Sequence, residues 1–272
     1  MFGSTEKMNE LSTSGSIRSE VHGAIGHVCI SNVRKRNAMS MDMWQSFAQA
    51  VETLDSDPAV RVIVVRGDGN EAFVSGADIS QFESRRTSLS DQEESDRIAE
   101  RAYMAPGRAA KPVIAAIRGI CYGGGLGLAA ACDLRVCSTD ARFRMPAARL
   151  GLAYSVDGLM RFVSLVGPQN TLDLFMTARV FDGHEALRIG FVAAAVPPET
   201  LDAKVDEMAQ ALSQNAPLTL RAAKLAVKSA CSRSSESLAA ARDAVRACAA
   251  SADYLEGQRA FRERRDPVFE GR

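Results

Sequence analysis

The chain has 272 residues, 46% of them apolar, with 33 Lys plus Arg set against 33 Asp plus Glu, and three His. Balanced charge removes the cationic surplus with which a protein displaces counterions from a phosphate backbone, so nucleic acid is not an expected partner. The length and apolar share exclude a wholly disordered chain and leave room for one large core, with or without an appendage.

The longest stretch free of Asp, Glu, Lys and Arg runs from Gly119 to Cys132. It is rich in glycine and shorter than the roughly 20 residues that cross a bilayer, so no membrane partner is expected. The leading residues MFGSTEKMNELSTSGS lack the basic and then apolar segments of a secretion signal, and the expected location is cytoplasmic. Cys29, Cys121, Cys132, Cys137, Cys231 and Cys248 form no C-x-x-C pair and stand in apolar or Ala-rich text. That reads as buried free thiols, with no disulfide framework and no metal site.

Residues 1–16 are polar and read as a mobile tail. From Ile17 to Val33, two β-rich runs broken by His22-Gly23 predict a hairpin. Ser40 then caps a helix whose Trp44, Phe47, Val51 and Leu54 recur at helical spacing, a core face that ends at Asp57-Pro58. Ala59 to Val65 is a buried, Val-rich strand followed by the turn Gly67-Asp68-Gly69-Asn70, and Ala72 to Ser75 leads into Gly76-Ala77-Asp78. Gln81 to Glu100 is polar and charged and fits a mobile flap or an exposed helix.

Val113 to Arg118 predicts a strand, followed by the glycines of Gly119 to Gly127, an Ala-rich helix to Cys132 and a strand over Leu134 to Cys137. Arg142 to Met145 repeats the order, with helices beginning near Asp157 and Pro168. From Glu199 only helical patterns remain, at Leu201 to Ser213, Leu218 to Ser229 and Ser235 to Arg262, with Pro217 placed to open the second. The expected organisation is α/β, with a β/α core over 17–198 and a helical segment over 199–272 of the kind that often packs on a neighbouring subunit.

Gly123-Gly124-Gly125-Leu126-Gly127 lies between a predicted strand and a predicted helix, where backbone N–H groups can face an anion with no Cβ in the way. Gly125-x-Gly127-x-x-Ala130 formally matches a dinucleotide fingerprint, but the next strand ends in Cys137-Ser138-Thr139 without the acidic residue that would bind a ribose. The other use is an oxyanion hole, in which N–H groups of two loops converge on one carbonyl oxygen. Ser75-Gly76-Ala77-Asp78, one β/α unit earlier, is the second loop available.

The segments Phe73-Val74-Ser75-Gly76-Ala77-Asp78-Ile79, Ile117-Arg118-Gly119-x-x-x-Gly123-Gly124-Gly125 and Ala131-Cys132-Asp133-Leu134 resemble the signature of the crotonase (enoyl-CoA hydratase/isomerase) superfamily. Arg36-Asn37-Ala38-Met39, Phe143-x-Met145-Pro146, Leu165-Val166-Gly167 and Ala186-Leu187-x-x-Gly190-Phe191-Val192 follow in the order that family shows, and the resemblance covers about Ile17 to Phe269. It implies a crotonase/ClpP-like spiral of ββα units with a C-terminal helical trimerisation segment, in a homotrimer or a hexamer built as a dimer of trimers. It also implies an acyl-CoA thioester as substrate, coenzyme A entering only as part of it, no tightly bound cofactor and no metal. By the same resemblance the thioester oxygen lies between the N–H groups of Ala77 and Gly124.

Two glutamates carry hydration in that family, and here their positions fall on Gly127 and Ala147, neither of which can move a proton. Replacement groups are sought in Leu152 to Gly158: Asp157 as a general base or as a helix N-terminal carboxylate, Tyr154 as a hydrogen-bond donor or a packed ring, and Ser155 as a third candidate or a cap. Gly151-Leu152-Ala153-Tyr154 is similar to a stretch in the methylmalonyl-CoA decarboxylase branch. Loss of carbon dioxide from a malonyl-type thioester needs an enolate-stabilising hole and no base at the breaking bond. Those decarboxylases carry a His where Ala77 stands.

Arg34-Lys35-Arg36 matches the place where relatives put a cation, so these residues are expected at the CoA phosphates, with Ser75, Asp78 and Ile79 of the first loop beside the cofactor moiety. His22, His27 and His184 lie outside every matched segment. A malonyl- or methylmalonyl-CoA-type decarboxylase and a CoA-binding member that has lost catalysis stand as alternatives to the hydratase or isomerase reading.

Overall fold

The computed structural model describes residues 15–78, 89–232 and 234–272. The expected hairpin is β1 (Ser16–His22) against β2 (Ile25–Ser31), antiparallel, with Gly23 at φ 59° in the turn. Ser40 caps α1 (Met41–Ser56) as expected, its Oγ accepting from Met43 N–H.

Strand pairs then follow, the first member joining one sheet and the second another. These are β3 (Val62–Gly67) with β4 (Ala72–Val74), β5 (Val113–Ile117) with β6 (Ile120–Tyr122), and β7 (Leu134–Ser138) with β8 (Arg142–Arg144). Helix α2 (Leu89–Arg108) follows the first pair and α3 (Gly124–Ala131) the second. Among the described residues the large sheet runs β1-β2-β3-β5-β7-β10 and the small one β4-β6-β8-β9, where β9 is Val180–Asp182 and β10 is Ala194–Val196. Gly119 makes the corner between β5 and β6: its φ is 63°, and a Cβ there would stand 2.1 Å from the Glu71 carbonyl oxygen.

Residues 62–65 of β3 and all of β5 are apolar because both faces of these central parallel strands are covered. Val62, Val64, Ile114 and Ala116 face α6 (Leu201–Gln214) through its Leu201, Val205 and Ala209. Ile63, Val65, Ala115 and Ile117 face the main core with Trp44, Phe47 and Val51 of α1. Helix α4 (Val156–Thr177) is broken at Gly167, φ 77°, the junction anticipated near Pro168, and α5 (Gly183–Arg188) follows β9.

The C-terminal segment adds α7 (Pro217–Ser232), α8 (Ser235–Ala249) and α9 (Ala252–Glu263). Ser235 to Arg262, read as one helix, is two: Ser251 caps the second by accepting from Tyr254 N–H. Of the thiols, Cys121, Cys132 and Cys137 are buried as expected, Cys29 and Cys248 are half-buried, and Cys231 is exposed on α7, which corrects the uniform reading. Residues 1–14 of the anticipated tail, and part of the flap over Gln81 to Glu100, lie outside the described residues, whereas the rest of that flap begins α2. No helix among the described residues is long and apolar enough to cross a membrane.

Helix α7 is fastened to the core by Lys224, whose Nζ bonds Asp133 Oδ2 at 2.7 Å and the carbonyls of Pro106 (2.8 Å) and Lys111 (3.0 Å). Asp133 also accepts from Val113 N–H at 2.8 Å, and burial raises its carboxyl pKa despite the opposing Lys224. Lys224→Met leaves that carboxylate without its cation and is expected to lower unfolding stability by about 3 kcal/mol in urea titrations. Adding Asp133→Asn to the same chain should recover part of the loss.

Candidate active site

Two neighbouring parallel strands deliver the two loops that the sequence singles out. β4 and β6 pair at Val74↔Cys121, so the chain leaves both on the same side of the small sheet. Beyond β4 the backbone turns at Gly76, φ 123°, and a Cβ built there would stand 4.0 Å from the Gly124 nitrogen. The bridge between Met39 and Ala77 consists of Met39 N–H to Gly76 O and Asp78 N–H to Met39 O, both 2.9 Å, and passes over the Ala77 N–H.

Beyond β6, Gly123 at φ 50° donates its N–H to Arg144 O at 2.9 Å, and Gly124 opens α3, where an N–H has no acceptor within the helix. Among the described residues neither the Ala77 nor the Gly124 N–H is spent on a protein acceptor. Gly125 makes the close approach possible, since a Cβ there would meet Val74 O at 2.2 Å.

The basic cluster sits on an exposed turn at Val33–Lys35 and is tied to the first loop. Lys35 Nζ pairs with Asp78 Oδ2 at 2.7 Å, while Ser75 donates its Oγ–H to Lys35 O and its N–H to Arg36 O, both at 3.1 Å. Arg36 stands 3.8 Å from Glu71, and Arg34 pairs with no carboxylate among the described residues. Thus Arg34, Lys35, Arg36, Ser75, Ala77 and Asp78 are gathered along one edge, whereas Ile79 lies outside the described residues.

Asn37, which carried no weight in the sequence beyond its place in a motif, holds that edge together. Buried at φ 56°, it accepts from Asn32 N–H (2.8 Å) and donates to Asp68 O (2.9 Å) and Ala72 O (2.8 Å).

The Tyr154 hydroxyl lies beside Gly127 in the first turn of α3, whereas Asp157 is open to solvent. The Tyr154 ring packs on Phe162 and Phe175, with centroids 6.4 and 5.2 Å away, and its Oη would stand 2.2 Å from a Cβ on Gly127. Asp157 is exposed in the first turn of α4, and Ser155 is the cap, its Oγ accepting from Gly158 N–H at 3.1 Å.

A second tyrosine escaped the sequence reading. Tyr103 lies on α2 with its ring 5.1 Å from Trp44, and its Oη would stand 2.7 Å from a Cβ on Gly124. The available signal was the helical spacing of Ala102 and Ala105, on the buried face of α2 just past the polar stretch. Trp44 is core as expected and also a wall of the site, its ring 3.1 Å from the same Cβ position.

Burial, and then the field of Tyr154, push the Tyr103 hydroxyl far above the ordinary tyrosine range; burial pushes Tyr154 up to about 12 against the pull of Arg161. Both phenols are therefore neutral donors near neutral pH. Among the described residues no group of His, Cys, Asp and Glu side chains could hold a metal ion.

The family described as enoyl-CoA hydratase/isomerase matches residues 20–272. A crotonyl-CoA hydratase of Syntrophomonas wolfei is 32% identical over 241 residues, covering 88% of this chain and 92% of that protein. A peroxisomal Δ(3,5)-Δ(2,4)-dienoyl-CoA isomerase of Arabidopsis thaliana is 34% identical over 228 residues, covering 80% and 82%. Among solved structures, an enoyl-CoA hydratase from Bacillus anthracis superposes with a TM-score of 0.88 at 25% identity, covering 94% of this chain and all of that one, 100%. A hydratase and an isomerase thus resemble this chain about equally.

The buried phenol gives a direct spectroscopic expectation. In alkaline titration at the tyrosinate absorbance, the difference between the native protein and Tyr154→Phe should appear only near pH 12, well above an ordinary tyrosine. A difference centred near pH 10 would show that burial does not hold the Tyr154 hydroxyl above the ordinary tyrosine range.

Proposed function

As this chain belongs to the enoyl-CoA hydratase/isomerase family, we propose that it binds an acyl-CoA thioester and stabilises its enolate between the N–H groups of Ala77 and Gly124. The observation that carries this reading is that pair of uncommitted donors, brought side by side by β4 and β6. As a bond at the α-carbon forms or breaks, negative charge gathers on the thioester oxygen, and donors fixed in advance stabilise it without reorganising. Coenzyme A enters with the substrate, its phosphates meeting Arg34, Lys35 and Arg36, and its chain passing Ser75, Asp78 and Ile79. Of the cations, Arg34 has the least local compensation.

The residues at the two glutamate positions, Gly127 and Ala147, carry no proton, so the reaction relies on the oxyanion pair and on Tyr154 as a neutral donor. Asp157, open to solvent on the first turn of α4, is the carboxylate proposed to exchange protons with bulk water. Decarboxylation of a malonyl-type thioester is the second reading, favoured by the Tyr154 hydroxyl lying over Gly127. The core over 17–198 carries the site, and the helices over 199–272 make the contacts of a trimer or hexamer.

The test is α-proton exchange and turnover with crotonyl-, 3-enoyl-, malonyl- and methylmalonyl-CoA. At least one should react, and Ala77→Pro, which deletes one N–H donor, should lower kcat by about a hundredfold or more. Binding of CoA with no exchange and no turnover across the panel would identify a CoA-binding member without catalysis.

A further inference from the structure

Two hydroxyls beside the proposed oxyanion pair bond to no other described residue. Tyr103 Oη stands by Gly124, and Tyr154 Oη by Gly127, three residues further along α3. A Cβ on Gly127 would lie 2.2 Å from Tyr154 Oη and 3.2 Å from Tyr103 Cε1, so the two phenols crowd one face of the helix. No hydrogen bond joins either hydroxyl to another described residue, and neither oxygen is sealed from open space. Their neighbours are apolar rings, Trp44 for one and Phe162 and Phe175 for the other.

Such a pair discriminates between acyl groups by what each would leave unpaired. A hydrocarbon chain entering here strips solvent from both hydroxyls and returns no hydrogen bond, which is costly in an apolar wall. An acyl group with an oxygen acceptor near the thioester bonds to them, and sites built around hydrogen bonds reject analogues that lack the partner. Arg161 lies behind the pair: it bonds Tyr103 O at 3.2 Å and Met104 Sδ at 3.7 Å and pairs with no carboxylate among the described residues. Its charge favours an anionic acceptor.

Resting on the acyl-CoA reading above, we propose that Tyr103 and Tyr154 form a two-hydroxyl clamp that selects acyl groups bearing an acceptor oxygen at the β-carbon, as a 3-oxo or a carboxylate oxygen, over plain hydrocarbon chains. Tyr103 is thereby a specificity-determining residue.

The experiment is calorimetric titration of the full chain with butyryl-, acetoacetyl- and malonyl-CoA, with the integrity of each thioester checked by mass spectrometry, for the native protein, Tyr103→Phe and Tyr154→Phe. At least one of the two oxygenated thioesters should bind about tenfold or more tighter than butyryl-CoA, and each substitution should remove about fivefold to tenfold of that preference. Butyryl-CoA should bind as tightly or tighter in both variants, because each substitution removes a hydroxyl that the hydrocarbon chain strips of solvent, and a far-ultraviolet circular dichroism spectrum matching the native one reports that they are folded. A larger preference for malonyl-CoA assigns the anion, and a larger one for acetoacetyl-CoA the ketone; either supports the clamp. Equal binding of all three, or a preference untouched by both substitutions, overturns the clamp and leaves the acyl-CoA reading standing. Failure of every thioester to bind removes that reading and the clamp with it.

Discussion

The parallel pairing of β4 with β6 is the constraint on which the rest depends. Parallel neighbours end on the same side of their sheet, so the loops after them, Ser75 to Asp78 and Gly123 to Gly125, have no choice but to emerge together. Their spacing is then set by a contact that tolerates no side chain, Gly125 against Val74 O, and the backbone directions by Gly76 and Gly123 at positive φ. Everything polar at the site is arranged around two N–H groups that this geometry leaves over. The bridge to Met39 uses the Asp78 N–H and passes over Ala77, while the Gly123 N–H goes to Arg144 O and Gly124 begins α3, where an N–H has no acceptor within the helix.

Around that pair stand the rings of Trp44 and Tyr103 and the hydroxyls of Tyr103 and Tyr154. A Cβ at residue 127 would stand 2.2 Å from the Tyr154 hydroxyl, so the glycine there and the phenol over it belong to one packing arrangement. Burial raises the pKa of both phenols, so both hydroxyls stay neutral near neutral pH. The cationic edge is handled differently: Lys35 pairs with Asp78, which ties the surface proposed for CoA phosphates to the loop after β4.

Legibility in the sequence followed length and periodicity. β3 and β5 could be read because both faces are buried and the runs are continuously apolar, and α1 because its buried residues recur with its cap in place. β6, β9 and β10 could not, because three residues carry no period, and the break at Ser251 was hidden by Ala-rich helical text on both sides. At the site, the glycines and the basic triplet were visible as local motifs. Tyr103 and Asn37 were not, since each matters through contacts far along the chain: Tyr103 with Trp44 and Gly124, Asn37 with Asp68 and Ala72.

By itself, then, the sequence determined the α/β order of elements, the two turns able to present bare N–H groups, and the lack of a proton-carrying side chain at Gly127 and Ala147, because each of these is a local property of residue type and spacing. Only the tertiary structure decided that the two turns meet, that Tyr154 fills the space over Gly127, and that Tyr103 joins it from a different helix. Those outcomes arise from strand order and close packing, which bring together residues separated by tens of positions and leave no local trace in the chain.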